Sequence, residues 1–95
     1  MKNIRYIEPK IRIGDCREGN RTVLQDDVIT VWLDTLYLDD AHIFNFISPL
    51  SFTKISNHQY EVTCDVVGWH ELRIEVINKD KLQVLRSNSL LIIVL

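Results

Sequence analysis

Glycine, proline and cysteine are all scarce in this chain of 95 residues, at three, two and two. The glycines Gly14, Gly19 and Gly68 form no phosphate-cradling loop. No serine sits in a G-x-S-x-G elbow and no other nucleophile is set in a recognisable turn, so covalent catalysis has no visible starting point. Two cysteines, Cys16 and Cys64, allow a single intrachain disulfide in an oxidising compartment. The expectation is two reduced thiols buried as small hydrophobes. Long apolar runs are missing as well. Met1 to Tyr6 never enters the apolar stretch that a secretory signal needs. The C-terminal run Leu90–Leu95 is far shorter than the roughly 20 residues of a membrane-spanning helix. The sequence therefore predicts a chain made in a cytoplasm, without membrane attachment.

Apolar residues make up 46% and charged residues 25%, the mixture of an ordinary globular domain. The length fits one domain, residues 1–95. A domain of this size buries only about 60–65% of its unfolded surface, so a partner would add usefully to its stability.

The net charge of −2 and a pI near 5.8 argue against nucleic acid as the main ligand. The charge is unevenly placed. Residues 1–25 hold Lys2, Arg5, Lys10, Arg12, Arg17 and Arg21 against Glu8, Asp15 and Glu18, whereas residues 26–95 are acidic on balance. Solvated strand edges explain this pattern, and so does a basic N-terminal strand or arm docking on an acidic neighbour.

His42, His58 and His70 stand too far apart in sequence for a zinc pair, and His70-Glu71 lacks a second histidine one helical turn on. Asp26-Asp27 and Asp39-Asp40 supply too few oxygens for a calcium loop and suit turns. No catalytic residue, metal or cofactor is expected.

What the chain does have is hydrophobicity of period two, the mark of half-buried strands. Ile29, Val31 and Leu33 alternate within Val28–Asp34. Val62, Cys64 and Val66 follow Tyr60 on one face, and Leu72, Ile74 and Val76 alternate with Glu71, Arg73 and Glu75. Ile43–Ile47 ends at Ser48-Pro49, and Phe52–Ser56 ends at Asn57-His58. A split first strand is read in Asn3–Ile7 and Lys10–Ile13. A final pair runs through Leu82–Arg86 and Leu90–Leu95, and from Tyr60 onward the strands are expected to form a meander. One short helical turn could lie in Trp32–Asp39. Short strands at regular spacing indicate an all-β sandwich or barrel.

The closing third resembles bacterial and phage immunoglobulin-like domains. The residues that carry the resemblance are Tyr60-Glu61-Val62, Gly68-Trp69, Leu72-Arg73-Ile74-Glu75-Val76, and Ser87-Asn88-Ser89 before Leu90–Leu95. The resemblance implies an immunoglobulin-like sandwich of about seven antiparallel strands. Cys16 falls in the Gly14–Asn20 loop region, which departs from the inter-sheet disulfide of antibody-type domains. Small stand-alone members of this class resemble the auxiliary, or decoration, capsid proteins of tailed bacteriophages.

Several apolar residues exceed what one buried face requires. Trp32 points away from Ile29, Val31 and Leu33. Leu36, Tyr37 and Leu38 follow closely, and Trp69 stands beside a glycine. Either loops cover these residues or a partner does. The expected function is thus a structural protein-binding module, a virion component decorating a phage capsid. The partner would be the major capsid protein or another virion protein. The candidate contact residues are Trp32, Leu36, Tyr37, Leu38 and Trp69, with Arg5, Lys10 and Arg12 meeting acidic surface. The alternative is a domain of a bacterial surface adhesin or glycan-binding protein, with an aromatic platform built from Trp32, Tyr37 or Trp69.

Overall fold

Alternation of apolar and polar side chains settles which face of each strand is buried, and the two sets of buried faces meet in one interior. The computed structural model describes residues 9–13, 20–35, 37 and 40–95. Among these, nine strands are present: β1 (Ile11–Ile13), β2 (Asn20–Val23), β3 (Asp27–Leu33), β4 (His42–Ile47), β5 (Ser51–Ser56), β6 (Gln59–Cys64), β7 (Gly68–Asn78), β8 (Gln83–Arg86) and β9 (Leu90–Val94). No helix occurs among the described residues. The helical turn expected after Trp32 is absent where the structure describes it, because Trp32 and Leu33 complete β3.

One sheet has the order β1-β3-β6-β5 and is antiparallel throughout. The other has the order β2-β9-β7-β4, with β8 also on β7. Its β2–β9 pair is parallel, and the remaining pairs are antiparallel. The first sheet contributes Ile11, Ile13, Ile29, Val31, Leu33, Tyr60, Val62 and Cys64 to the interior. The second contributes Val23, Phe46, Leu72, Ile74, Val76, Leu90, Ile92 and Val94. Each fully buried aliphatic side chain is worth about 1.5–3 kcal/mol relative to exposure, so this layer holds the sheets face to face. The chain is an all-β sandwich.

Several expectations are corrected. Nine strands are present among the described residues where about seven were expected, and the β2–β9 pair is parallel where all were expected antiparallel. The Tyr60 strand and the Leu72 strand do not form a meander. β6 lies in one sheet and β7 in the other, so they face each other across the core. The connection Asp65–Val67 crosses between layers, and Val66 is exposed in it instead of facing inward. Finally, β8 and β9 run in line along the same edge of β7. β8 pairs with Glu75–Asn78 and β9 with Gly68–Leu72. At the break between them the Ser87 Oγ accepts the Ile74 N–H at 2.8 Å, and the Ser87 N–H donates to Ile74 O at 2.9 Å. A side chain thus stands in for one rung of the ladder. Asn3–Ile7 of the split first strand lies outside the described residues.

Candidate interaction surface

The sequence-derived contact residues do not come together in one place. Lys10, Arg12 and Trp32 meet at the β1–β3 pair, where Arg12 is opposite Trp32. The Arg12 guanidinium lies over the indole, 5.8 Å from the ring centre, and its Nε forms an ion pair with Asp34 Oδ1 at 3.0 Å. Trp32 is therefore half-buried beneath a cation already committed to a carboxylate. Lys10 is exposed, and its carbonyl accepts the Asp34 N–H at 2.8 Å. Tyr37 belongs to a separate aromatic group. Its ring lies 5.1 Å from His42 and 6.4 Å from Phe44, and Phe44 is 5.1 Å from His58. The Tyr37 N–H donates to His58 Nε2 at 3.2 Å, so that ring nitrogen carries no proton in this arrangement. Burial raises the Tyr37 phenol above its ordinary range. Leu36, Leu38 and Arg5 lie outside the described residues.

Trp69 differs from the other two aromatic candidates, being 73% exposed. It lies on the outer face of the second sheet, opposite Ile93, which in turn is opposite Thr22. Trp32 is on the outer face of the other sheet, so the three aromatics form no common platform.

Around Trp69 the backbone gathers several apolar residues that sequence reasoning missed. The Gln25 N–H donates to Leu95 O at 3.0 Å, the Leu95 N–H donates to Val23 O at 2.9 Å, and the Asp26 N–H donates to Cys64 O at 2.8 Å. The Gln25 Nε2 donates to Asp65 O at 3.2 Å. These bonds draw the β2–β3 turn, the Asp65–Val67 crossing and residue 95 to one end of the sandwich. Leu24, Val66, Val67, Trp69 and Leu95 are all exposed there, and Val28 is exposed at the same end but on the outer face of the first sheet. Single exposed apolar side chains are ordinary, whereas several at one end of a small domain make that end the candidate surface. Asp26 and Asp27 in the turn and Asp65 in the crossing are exposed at the same end.

Local structure holds this end in shape. Asp27 Oδ2 accepts the Leu24 N–H at 3.1 Å, tightening the turn in which Asp26 adopts φ 73°. Gly68 opens β7 at φ +129°, a backbone geometry that side-chain-bearing residues rarely adopt. The His70 Nε2 lies 2.7 Å from Val66 O and pins the crossing. The sequence signal for this end was the run Val66-Val67-Gly68-Trp69, in which two β-branched residues precede a glycine where a polar turn would be expected.

Beneath it Cys64 is a free, buried thiol. Burial is the main cause of its raised pKa, and Asp27 and Asp65 add to it while Arg21 opposes. A thiol so held stays protonated and unreactive. Cys16 lies outside the described residues. Among the described residues no three His, Cys, Asp or Glu side chains gather closely enough to hold a metal ion, and no helix is long and apolar enough to cross a membrane.

No family model, no curated protein and no solved structure matches this chain.

Proposed function

We propose that this protein is a structural binding module, an immunoglobulin-type sandwich that attaches to another protein through the Trp69 end, and in its most concrete form a virion component decorating a phage capsid. The observation that carries the binding reading is the exposure of Trp69 at the end that also exposes Leu24, Val66, Val67 and Leu95. Large aromatics at the centre of an apolar patch are the usual anchors of protein interfaces. Immunoglobulin-type connectivity is supported by strand order. In such sandwiches the first, second, fifth and fourth strands form one sheet, and the third, sixth and seventh form the other. With β2 and β8 set aside as additions, β1-β3-β6-β5 and β9-β7-β4 follow that order. The exposed carboxylates of Asp26, Asp27 and Asp65 at this end suit a partner surface that carries basic residues.

Two measurements test the reading. Mass spectrometry of purified particles from a phage that encodes this chain is expected to find it in many copies, and its absence there removes the capsid assignment. Trp69→Ala is expected to leave the melting temperature within about 2 °C of the parent while lowering attachment to its partner at least about tenfold. An equal loss of stability and attachment would place Trp69 among the packing residues. Retention of full attachment would move the interface elsewhere.

A further inference from the structure

The open edge of β4 has a property unrelated to the Trp69 end. Ile43-Phe44-Asn45-Phe46-Ile47 reads the same in both directions. Among the described residues β4 is also the outermost strand of its sheet, paired with β7 alone. The phase of that ladder is fixed at two points. The Lys79 N–H donates to Ala41 O at 3.0 Å, and Ile74 directs its N–H and C=O to Ser87 on the other side of β7. Backbone groups alternate in direction along a strand. Ile43, Asn45 and Ile47 therefore bond to β7, and Phe44 and Phe46 direct their N–H and C=O outward. Among the described residues no backbone group meets those of Phe44 and Phe46.

The other edge strands carry positive charge: Arg12 in β1, Arg21 in β2, Lys54 in β5 and Arg86 in β8. β5 has in addition an irregularity between Lys54 and Ser56. Basic side chains and bulges discourage one edge from adding to another. β4 contains no Lys, Arg, Asp, Glu or Pro, and its pairing with β7 is regular from end to end.

We propose that β4 pairs with β4 of a second copy of this chain, antiparallel about a twofold axis at Asn45. Antiparallel pairing centred there makes Phe44 of one copy and Phe46 of the other the hydrogen-bonded pairs, in agreement with the outward direction of their backbone groups. Four backbone bonds close across the seam. Asn45 meets its own counterpart as the closer, non-hydrogen-bonded pair, within reach for amide-to-amide contact. Ile43 is opposite Ile47, and on the inner side Phe is opposite Phe, so side chains of equal size meet along the whole strand. A palindromic edge is the simplest sequence that complements itself across a twofold axis. No ionised side chain meets another at the seam, because Glu75 and Arg73 stand one strand back. The two second sheets become one continuous sheet through the dimer, and both Trp69 ends stay free.

Sedimentation equilibrium of the full chain, from about 1 µM to 1 mM, is expected to show a species of twice the 11.2 kDa chain mass. Asn45→Lys is expected to raise the dimer dissociation constant at least about 100-fold, because two ammonium groups meet on the axis. Its folding is preserved, since the introduced lysine faces Glu75 across the β4–β7 pair. Asn45→Asp, whose carboxylate lies opposite Glu75, is expected to melt at a somewhat lower temperature and to lose association likewise, and an equimolar mixture of the two folded variants to recover a one-to-one dimer. Thr53→Lys on β5 is expected to leave association unchanged. A wild-type chain that sediments as a monomer throughout overturns the proposal. So does an Asn45→Lys chain that dimerises like the parent, or a mixture that fails to recover association. Attachment through Trp69 is read separately and is unaffected by Asn45→Lys, so the two readings stand or fall apart.

Discussion

Tyr60 lies flat against Phe46, with ring centres 4.4 Å apart and planes 9° apart, and Phe52 meets both rings edge-on. Its hydroxyl donates to Asn57 O at 2.9 Å. Burial pushes its pKa up to about 12 from an ordinary value of 10. The folded chain therefore holds this proton more tightly than the unfolded chain does. Stability from this group is intact below pH 10 and is lost as pH rises from there through about 12. A difference of that size corresponds to roughly 2–3 kcal/mol once both states are ionised. Alkaline titration followed at the tyrosinate absorption is expected to show one phenol that ionises only near pH 12, together with unfolding. Tyr60→Phe is expected to cost about 1 kcal/mol at neutral pH, from the bond lost at Asn57 O, and to shift the alkaline unfolding midpoint upward.

At the scale of elements, Ser87 joins two strands into one line along β7. Ile74 is buried, so its N–H has no recourse to water if the Ser87 hydroxyl is removed. Ser87→Ala is expected to lower stability by about 1–3 kcal/mol, read from urea denaturation. Amide exchange at Ile74 would accelerate while that at Leu72 and Val76 changed little.

The sequence made the strongly alternating strands legible: β3, β6 and β7 carry their buried residues where the period of two places them, whereas β9, apolar at every position, showed a strand without showing its buried face. β4 and β5 were legible from the proline and the polar turn that end them. β2 was hidden, since only Val23 of its four residues is buried and its existence depends on parallel pairing with β9. Pairing was hidden too. Alternation reports which side of a strand is wet, and the three residues Asp65–Val67 could have turned a hairpin or crossed to the facing sheet. The candidate site divided the same way. Trp69 announced itself beside Gly68, whereas Leu24 and Leu95 reach the same end only through backbone bonds between segments distant in sequence.

At the scale of the whole molecule, the two outer surfaces differ. The first sheet turns out Thr30, Glu61 and Thr53 in a row, with Trp32 under Arg12. The second turns out Trp69 and Ile93 at one end and Ile43, Ile77 and Val84 at the other, separated by Glu71, Arg73, Glu75 and Arg86. The sandwich is thus two-sided in character, with its apolar outer surface on the second sheet. Arg86 Nε and Glu75 Oε2, 3.2 Å apart, form an exposed pair in that divide, and such a pair adds little stability.

The parallel course of β2 and β9 bears on how the molecule resists tension. Asn20 through Val23 run beside Leu91 through Val94 in the same direction. A pull that draws residue 20 backward and Leu95 forward slides one strand lengthwise against the other, so all their rungs are strained together. Force spectroscopy with handles at 20 and 95 is expected to record rupture in a single abrupt step. Handles at 75 and 86, at the open end of the β7–β8 hairpin, would peel it rung by rung at a lower force.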